Sequence, residues 1–181
     1  MLPFEFLKVD EAFTFKPFDC GDEDLNDFLL NSSKKYQSEL LATTYVIENA
    51  KETIAYFSIF NDSLRVQDIQ SSKNSIKNFL RSIIPHGKRH LDNYPAIKIG
   101  RLGVSIHQQG QKIGTKIINT IINFAIRQNS LCGCKFIIVD AYKASLNFYV
   151  NNQFVFLSDG DLQADTRQMY LNLTPYKELT N

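Results

Sequence analysis

At 181 residues, 44% hydrophobic and 22% charged, the chain has the length and composition of one ordinary globular domain. A chain of this size removes about 70% of its unfolded surface from water, so it needs neither disulfides nor a structural metal to fold. The net charge of +1 excludes a uniformly basic, polyanion-binding chain; a nucleic-acid site would have to come from uneven placement of charge.

Residues 4–16 alternate apolar and polar side chains in part and open a sheet. Phe18-Asp19-Cys20-Gly21-Asp22 reads as a turn, with Gly21 or Asp22 placed to cap a helix. From Asp22 to Leu41, the residues Leu25, Phe28, Leu29, Tyr36 and Leu40 recur at helical spacing, with Glu23 and Asp24 in the first turn where the dipole favours acids. Thr43–Glu48 and Thr53–Phe60 are β-rich runs joined by Asn49-Ala50-Lys51-Glu52, the pattern of an antiparallel hairpin. Residues 62–95 form a less regular, basic insertion, with a helix around Ser75–Ile84 ended by Pro85. Ala96–Ser105 alternates as a strand, and Ile113, Ile117, Ile121 and Phe124/Ala125 mark a long helix. Phe136–Val139 is a continuous apolar run, that is, a buried strand. A short helix over Ala144–Asn151 and strands at Phe154–Leu157 and Gln168–Leu173 close the chain. The expected fold class is mixed α/β (α+β), with a largely antiparallel central sheet carrying helices on both faces, in a single domain over 1–181.

Cys20, Cys132 and Cys134 lack the spacing of a zinc site and read as reduced thiols, so no metal is expected. Met1-Leu2-Pro3-Phe4-Glu5 lacks the features of a signal peptide, and no stretch approaches the roughly 20 apolar residues of a membrane span. The expectation is a soluble, cytoplasmic protein without a membrane partner.

Chemistry concentrates at two places. His107-Gln108-Gln109-Gly110-Gln111-Lys112-Ile113-Gly114-Thr115 lies between a strand and a helix start, where unpartnered N–H groups and the dipole favour an anion. The same residues also read as a plain polar loop, and short glycine motifs do not separate the two. Ala144-Ser145-Leu146-Asn147-Phe148-Tyr149 follows the buried strand. Tyr149 is by default a packed aromatic, of chemical interest where strand ends open toward a ligand crevice.

These segments resemble the GNAT superfamily of N-acetyltransferases along nearly the whole chain. Leu102-Gly103-Val104 followed by Gln109–Gly114 is similar to the family's strand-four edge and its Gln/Arg-x-x-Gly-x-Gly/Ala pyrophosphate loop. Phe148-Tyr149 followed by Asn152-Gln153-Phe154 is similar to its Phe-Tyr…Gly-Phe segment. The start, Phe18-Asp19-Cys20-Gly21…Leu25…Phe28-Leu29 with Thr44-Tyr45-Val46, resembles a narrower branch that includes acetyltransferase toxins of toxin–antitoxin pairs. Two positions depart from the pattern: Lys112 replaces the loop's middle glycine, and Gln153 the glycine before the last Phe. Lys112 is expected to adopt a helical conformation that keeps its N–H available, with its ammonium adding a contact. A positive φ would strain it and lower cofactor affinity. Gln153 is expected to alter only the local turn.

The resemblance implies a GNAT fold and acetyl-CoA as cofactor. Leu102, Gly103 and Val104 would hold the pantetheine and polarise the acetyl carbonyl through their main chain. Gln109, Gly110, Gln111, Lys112, Ile113, Gly114 and Thr115 would hold the pyrophosphate, and Asn147 would contact the cofactor. Tyr149 would be the general acid toward the leaving thiolate. No residue stands out as base, and Cys20 lacks neighbours that would lower its pKa. Between Ile69 and Leu91 lie Lys73, Lys77, Arg81, Lys88 and Arg89 with no acid, the first three spaced by four on one helical face. Beside a toxin-like start, Lys77, Arg81, Lys88 and Arg89 suggest an RNA substrate, the amino group of an aminoacyl-tRNA, with an antitoxin as protein partner; a homodimer is a further expectation. Two other readings stay open: acetylation of a small amine, peptide or protein, and a catalytically silent GNAT fold.

Overall fold

The computed structural model describes residues 5–69, 71–83 and 91–180. Its strands are β1 (Leu7–Lys8), β2 (Thr43–Glu48), β3 (Thr53–Arg65), β4 (Asn93–Val104), β5 (Phe136–Tyr142), β6 (Val155–Phe156) and β7 (Thr166–Asn172). Its helices are α1 (Glu23–Asp27), α2 (Ser33–Ser38), α3 (Lys73–Ile83), α4 (Ile113–Gln128) and α5 (Leu146–Asn151). The sheet order is β1-β2-β3-β4-β5-β7-β6, and the pairs β1–β2, β2–β3, β5–β7 and β6–β7 are antiparallel. The fold is mixed α/β, as the pattern of elements predicts. Its residues form two compact units, Met1–Asn61 with Ile99–Ile121, and Asp62–Lys98 with Ile122–Asn181.

In the first unit the expected opening strand is short: among the described residues only Leu7 and Lys8 pair in register with β2. Asp22 caps α1, its carboxylate accepting from the Leu25 N–H at 3.1 Å. The single helix expected from Asp22 to Leu41 is interrupted by a π-helical turn, Phe28–Ser32, between α1 and α2. There the Ser33 N–H donates to the Phe28 carbonyl, and the wider turn lets the adjacent Phe28 and Leu29 both reach the core. Tyr56 of β3 packs edge-on to Phe18, stacks on Phe28, and donates its hydroxyl to the Leu25 carbonyl at 2.7 Å. The β2–β3 turn closes by local chemistry. Asn49 Oδ1 accepts from the Lys51 and Glu52 N–H groups at 2.7 and 2.9 Å.

The second unit takes in the segment expected to be irregular. Ser72 opens α3 by accepting from the Ser75 N–H at 3.2 Å. Ile76, Phe79, Leu80 and Ile83 form the inner face of α3 and pack against a core of Leu64, Tyr94, Phe136 and Ile138. Ile76, Phe79 and Leu80 are half-buried, whereas Ile83 and the core residues they pack on are buried, each worth about 1.5–3 kcal/mol. Strand β5 carries Phe136–Val139 buried, as the apolar run predicts, and its register against β7 places Asp140 opposite Gln168.

Candidate active site

The first unit positions the loop between β4 and α4 by hydrogen bonds made on both sides of it. The Ser105 N–H donates to the Ile54 carbonyl at 2.8 Å and the Ile106 N–H to the Asp19 carbonyl at 3.0 Å. Gln109 Nε2 donates to the carbonyls of Cys20 and Val104 at 3.2 and 3.1 Å. Glu52 collects Ser105 Oγ and Gln108 Nε2, each at 3.2 Å, and Gln108 Oε1 in turn accepts from Gln111 Nε2. The Gln109 and Gln111 side chains are thus tied into the protein, and what the loop offers a ligand is backbone. Among the described residues, no backbone N–H from Gln109 to Thr115 donates to a protein acceptor; the first to do so is that of Lys116, to the Lys112 carbonyl. Nothing lies within 4 Å of where a Cβ on Gly110 would be, and Gly110 has φ +79°. A run of open, unpaired donors ending in a helix N-terminus fits a pyrophosphate. Ile113 is buried and fixes the start of α4, whereas Gly114 and Thr115 are half-buried.

Lys112 departs from the conformation expected of it. Its φ is +59°, left-handed rather than helical, so the chain keeps the backbone of a glycine there without the glycine. A lysine in this region costs about 1–2 kcal/mol relative to a helical one. That cost is present before any ligand arrives and therefore falls on folding. Gln153 repeats the pattern at φ +69°, where the Phe154 N–H donates to the Tyr149 carbonyl at 3.0 Å to close α5. Gly103 has a different reason to be glycine: a Cβ there would meet the Tyr56 ring at 2.8 Å and Phe18 at 3.1 Å. Leu102 and Val104, at the end of β4, are half-buried.

In the second unit, α5 carries Asn147 exposed and Tyr149 buried. The Tyr149 ring sits edge-on to Phe148 and Phe154, with centroids 5.0 and 5.2 Å away. Burial pushes its phenol well above the ordinary value, so it stays protonated at any physiological pH. Tyr149 is 6% exposed, and among the described residues its hydroxyl makes no hydrogen bond. Lys73, Lys77 and Arg81 are exposed along one face of α3. Lys88 and Arg89 lie outside the described residues, as does Pro85. Cys20 is a poor nucleophile, because burial raises its thiol pKa. Sequence reasoning missed the bracing role of Glu52, Ser105 and Gln108. Its only signal was a pair of glutamines in a loop, and their contacts are long-range.

No family model matches the chain, and no curated protein does. Solved structures do. AtaTR bound with AcCoA is 19% identical and has a TM-score of 0.76, with 100% of each chain covered. AtaT complexed with acetyl-methionyl-tRNAfMet is 17% identical and has a TM-score of 0.74, covering 98% of this chain and 100% of that one. An AtaT mutant toxin bound to the C-terminus of the antitoxin AtaR is 16% identical and has a TM-score of 0.74, covering 98% and 96%. The chain adopts the fold of these toxins, the GNAT fold that its cofactor-loop and Phe-Tyr segments lead one to expect.

Proposed function

We propose that the chain is an acetyl-CoA-dependent N-acetyltransferase that transfers acetyl directly to a primary amine, the amino group of an aminoacyl-tRNA. The observation that carries this is the uninterrupted run of unpaired N–H groups from Gln109 to Thr115 at the start of α4. Bound there, acetyl-CoA supplies its acetyl group as an activated thioester. The loop N–H groups neutralise the pyrophosphate, with Lys112 adding an exposed ammonium, and the main chain of Leu102–Val104 orients the pantetheine arm. Asn147 is a further cofactor contact. The amine forms the new C–N bond as the C–S bond breaks; the amine gives up a proton and the sulfur gains one. Tyr149 supplies that proton. Its raised pKa keeps it protonated while making it the weaker acid, and the transfer is driven only as far as the same surroundings raise the basicity of a thiolate beside it. No dedicated base is required where positioning supplies most of the acceleration.

The acceptor reading is supported by the fold shared with AtaT, solved with acetyl-methionyl-tRNAfMet, and by the acid-free exposed face of α3 bearing Lys73, Lys77 and Arg81. An antitoxin is the corresponding protein partner, by analogy with AtaT and AtaR. No helix among the described residues is long and apolar enough to cross a membrane, and the cytoplasm, where acetyl-CoA meets charged tRNA, is the setting we propose. A single domain over 1–181 is part of the same proposal.

A thermal-shift titration tests the cofactor half. At 100 times its dissociation constant, acetyl-CoA adds about 2.7 kcal/mol, which raises Tm by about 5–10 °C in a protein of this size. An unchanged Tm at millimolar acetyl-CoA would instead support a silent GNAT fold.

A further inference from the structure

The second unit contains a cavity of about 510 Å³ that plays no part in the chemistry above. It opens where α4 ends and β5 begins, and its polar lining is Asn129, Ser130, Lys135, Thr174 and Lys177. Among the described residues, no carboxylate lines it. Lys135 reaches Thr174 Oγ1 and lies 5.8 Å from the centre of the Phe136 ring, and among the described residues it forms no ion pair. Partial burial pulls its ammonium below the ordinary lysine value, as expected of a cation given no counter-charge.

A helix C-terminus would normally repel an anion, but here the terminal acceptors are already used. The Ala125, Arg127 and Gln128 carbonyls accept from the N–H groups of Asn129, Ser130, Leu131 and Cys132. Asn129 is spent as well. Its Nδ2 donates to the Ala125 and Cys134 carbonyls, and its Oδ1 accepts from the Cys134 N–H. Ser130 Oγ donates to the Arg127 carbonyl at 2.8 Å, so the lining offers the Lys135 ammonium and the Thr174 hydroxyl beside an apolar wall of Ile126 and Leu173. A lysine is a compact charge with three donors, which suits a phosphate better than the planar fork geometry a carboxylate prefers. The apolar wall suits the body that carries the phosphate.

We propose that this cavity is a nucleotide-binding pocket in which Lys135 holds a phosphate group. Its natural occupant is a nucleotide of the RNA substrate, and to that extent the inference rests on the acceptor reading above; phosphate binding itself does not.

The test is an NMR titration of the whole protein with coenzyme A at saturation, so that the cofactor loop is occupied. The probes are 5′-AMP, adenosine and a short single-stranded RNA. The phosphate-bearing probes should shift the amides of Ser130, Lys135 and Thr174 saturably and raise the pKa of Lys135. Adenosine should bind at least tenfold more weakly than 5′-AMP. Lys135→Gln should weaken binding of 5′-AMP by tenfold or more, and Lys135→Arg should retain part of it, which separates the effect of charge from a failure to fold. RNA binding tighter than 5′-AMP would identify a strand as the occupant, and equal binding a free nucleotide; either supports a phosphate pocket. No saturable shift at these residues, or equal affinity in folded Lys135→Gln, overturns it. Failure to acetylate charged tRNA would count against the acceptor reading and leave this measurement standing.

Discussion

Tyr149 and Lys112 are the residues on which the chemistry can be tested singly. Tyr149→Phe keeps the ring contacts with Phe148 and Phe154 and removes only the hydroxyl. It should bind acetyl-CoA with unchanged affinity and lose about 10²–10⁴ in kcat; equal rates would remove Tyr149 from the acid role. Because its pKa is raised, the rate should climb as the amine deprotonates, near pH 8 for an α-amino group, and show no alkaline fall up to about pH 9.5. At Lys112 the left-handed backbone makes glycine the better residue. Lys112→Gly should raise stability by about 0.5–1 kcal/mol, the strain relieved less the added freedom of the unfolded chain. Acetyl-CoA affinity should fall with the loss of the Lys112 ammonium, and strain should add nothing to that change, being the same with and without ligand; a gain in affinity would show that binding bears the cost. The loop's place was legible in the sequence, because its glycines and helix start are local. The sign of φ at Lys112 and Gln153 was not: a lysine or glutamine by itself points to the helical region, and the turn around it decides otherwise.

Among the elements, α3 shows how far periodicity carries. Its spacing of four placed Lys73, Lys77 and Arg81 on one face, and the structure finds them exposed with Ile76, Phe79 and Leu80 turned to the core. Reversing Lys77 and Arg81 to Glu should raise KM for charged tRNA and flatten the salt dependence, by about one unit of log–log slope for each phosphate no longer neutralised. Acetyl-CoA binding and Tm should hold, because neither residue is packed. The same reasoning failed over Asp22–Leu41. Leu25, Phe28, Leu29 and Tyr36 have helical spacing, and hydrophobic spacing does not register the extra residue that a π-turn inserts at Phe28–Ser32. Strand ends were missed for a related reason. Strand β3 continues to Arg65 through the polar residues Asn61, Asp62 and Ser63, which look like loop until their pairing is known.

For the molecule as a whole, its buried phenols set an alkaline limit on stability. Burial raises the pKa of Tyr56 and Tyr149 above the unfolded value of about 10. Above that pH the unfolded chain releases protons that the folded protein keeps, so stability must fall as pH rises. These two phenols leave stability unchanged below about pH 10, and above it each lowers stability by about 1.4 kcal/mol per pH unit. Urea midpoints at pH 8 and pH 11 measure this, and equal midpoints would show that the phenols ionise in place.

We propose transfer of acetyl from acetyl-CoA to the amino group of an aminoacyl-tRNA. It is tested most directly by following radiolabel from acetyl-CoA into bulk aminoacylated tRNA, with uncharged tRNA, free amines and peptides alongside. Label should appear on charged tRNA alone, and far more slowly with Tyr149→Phe. Label on small amines or peptides but not on charged tRNA would contradict it.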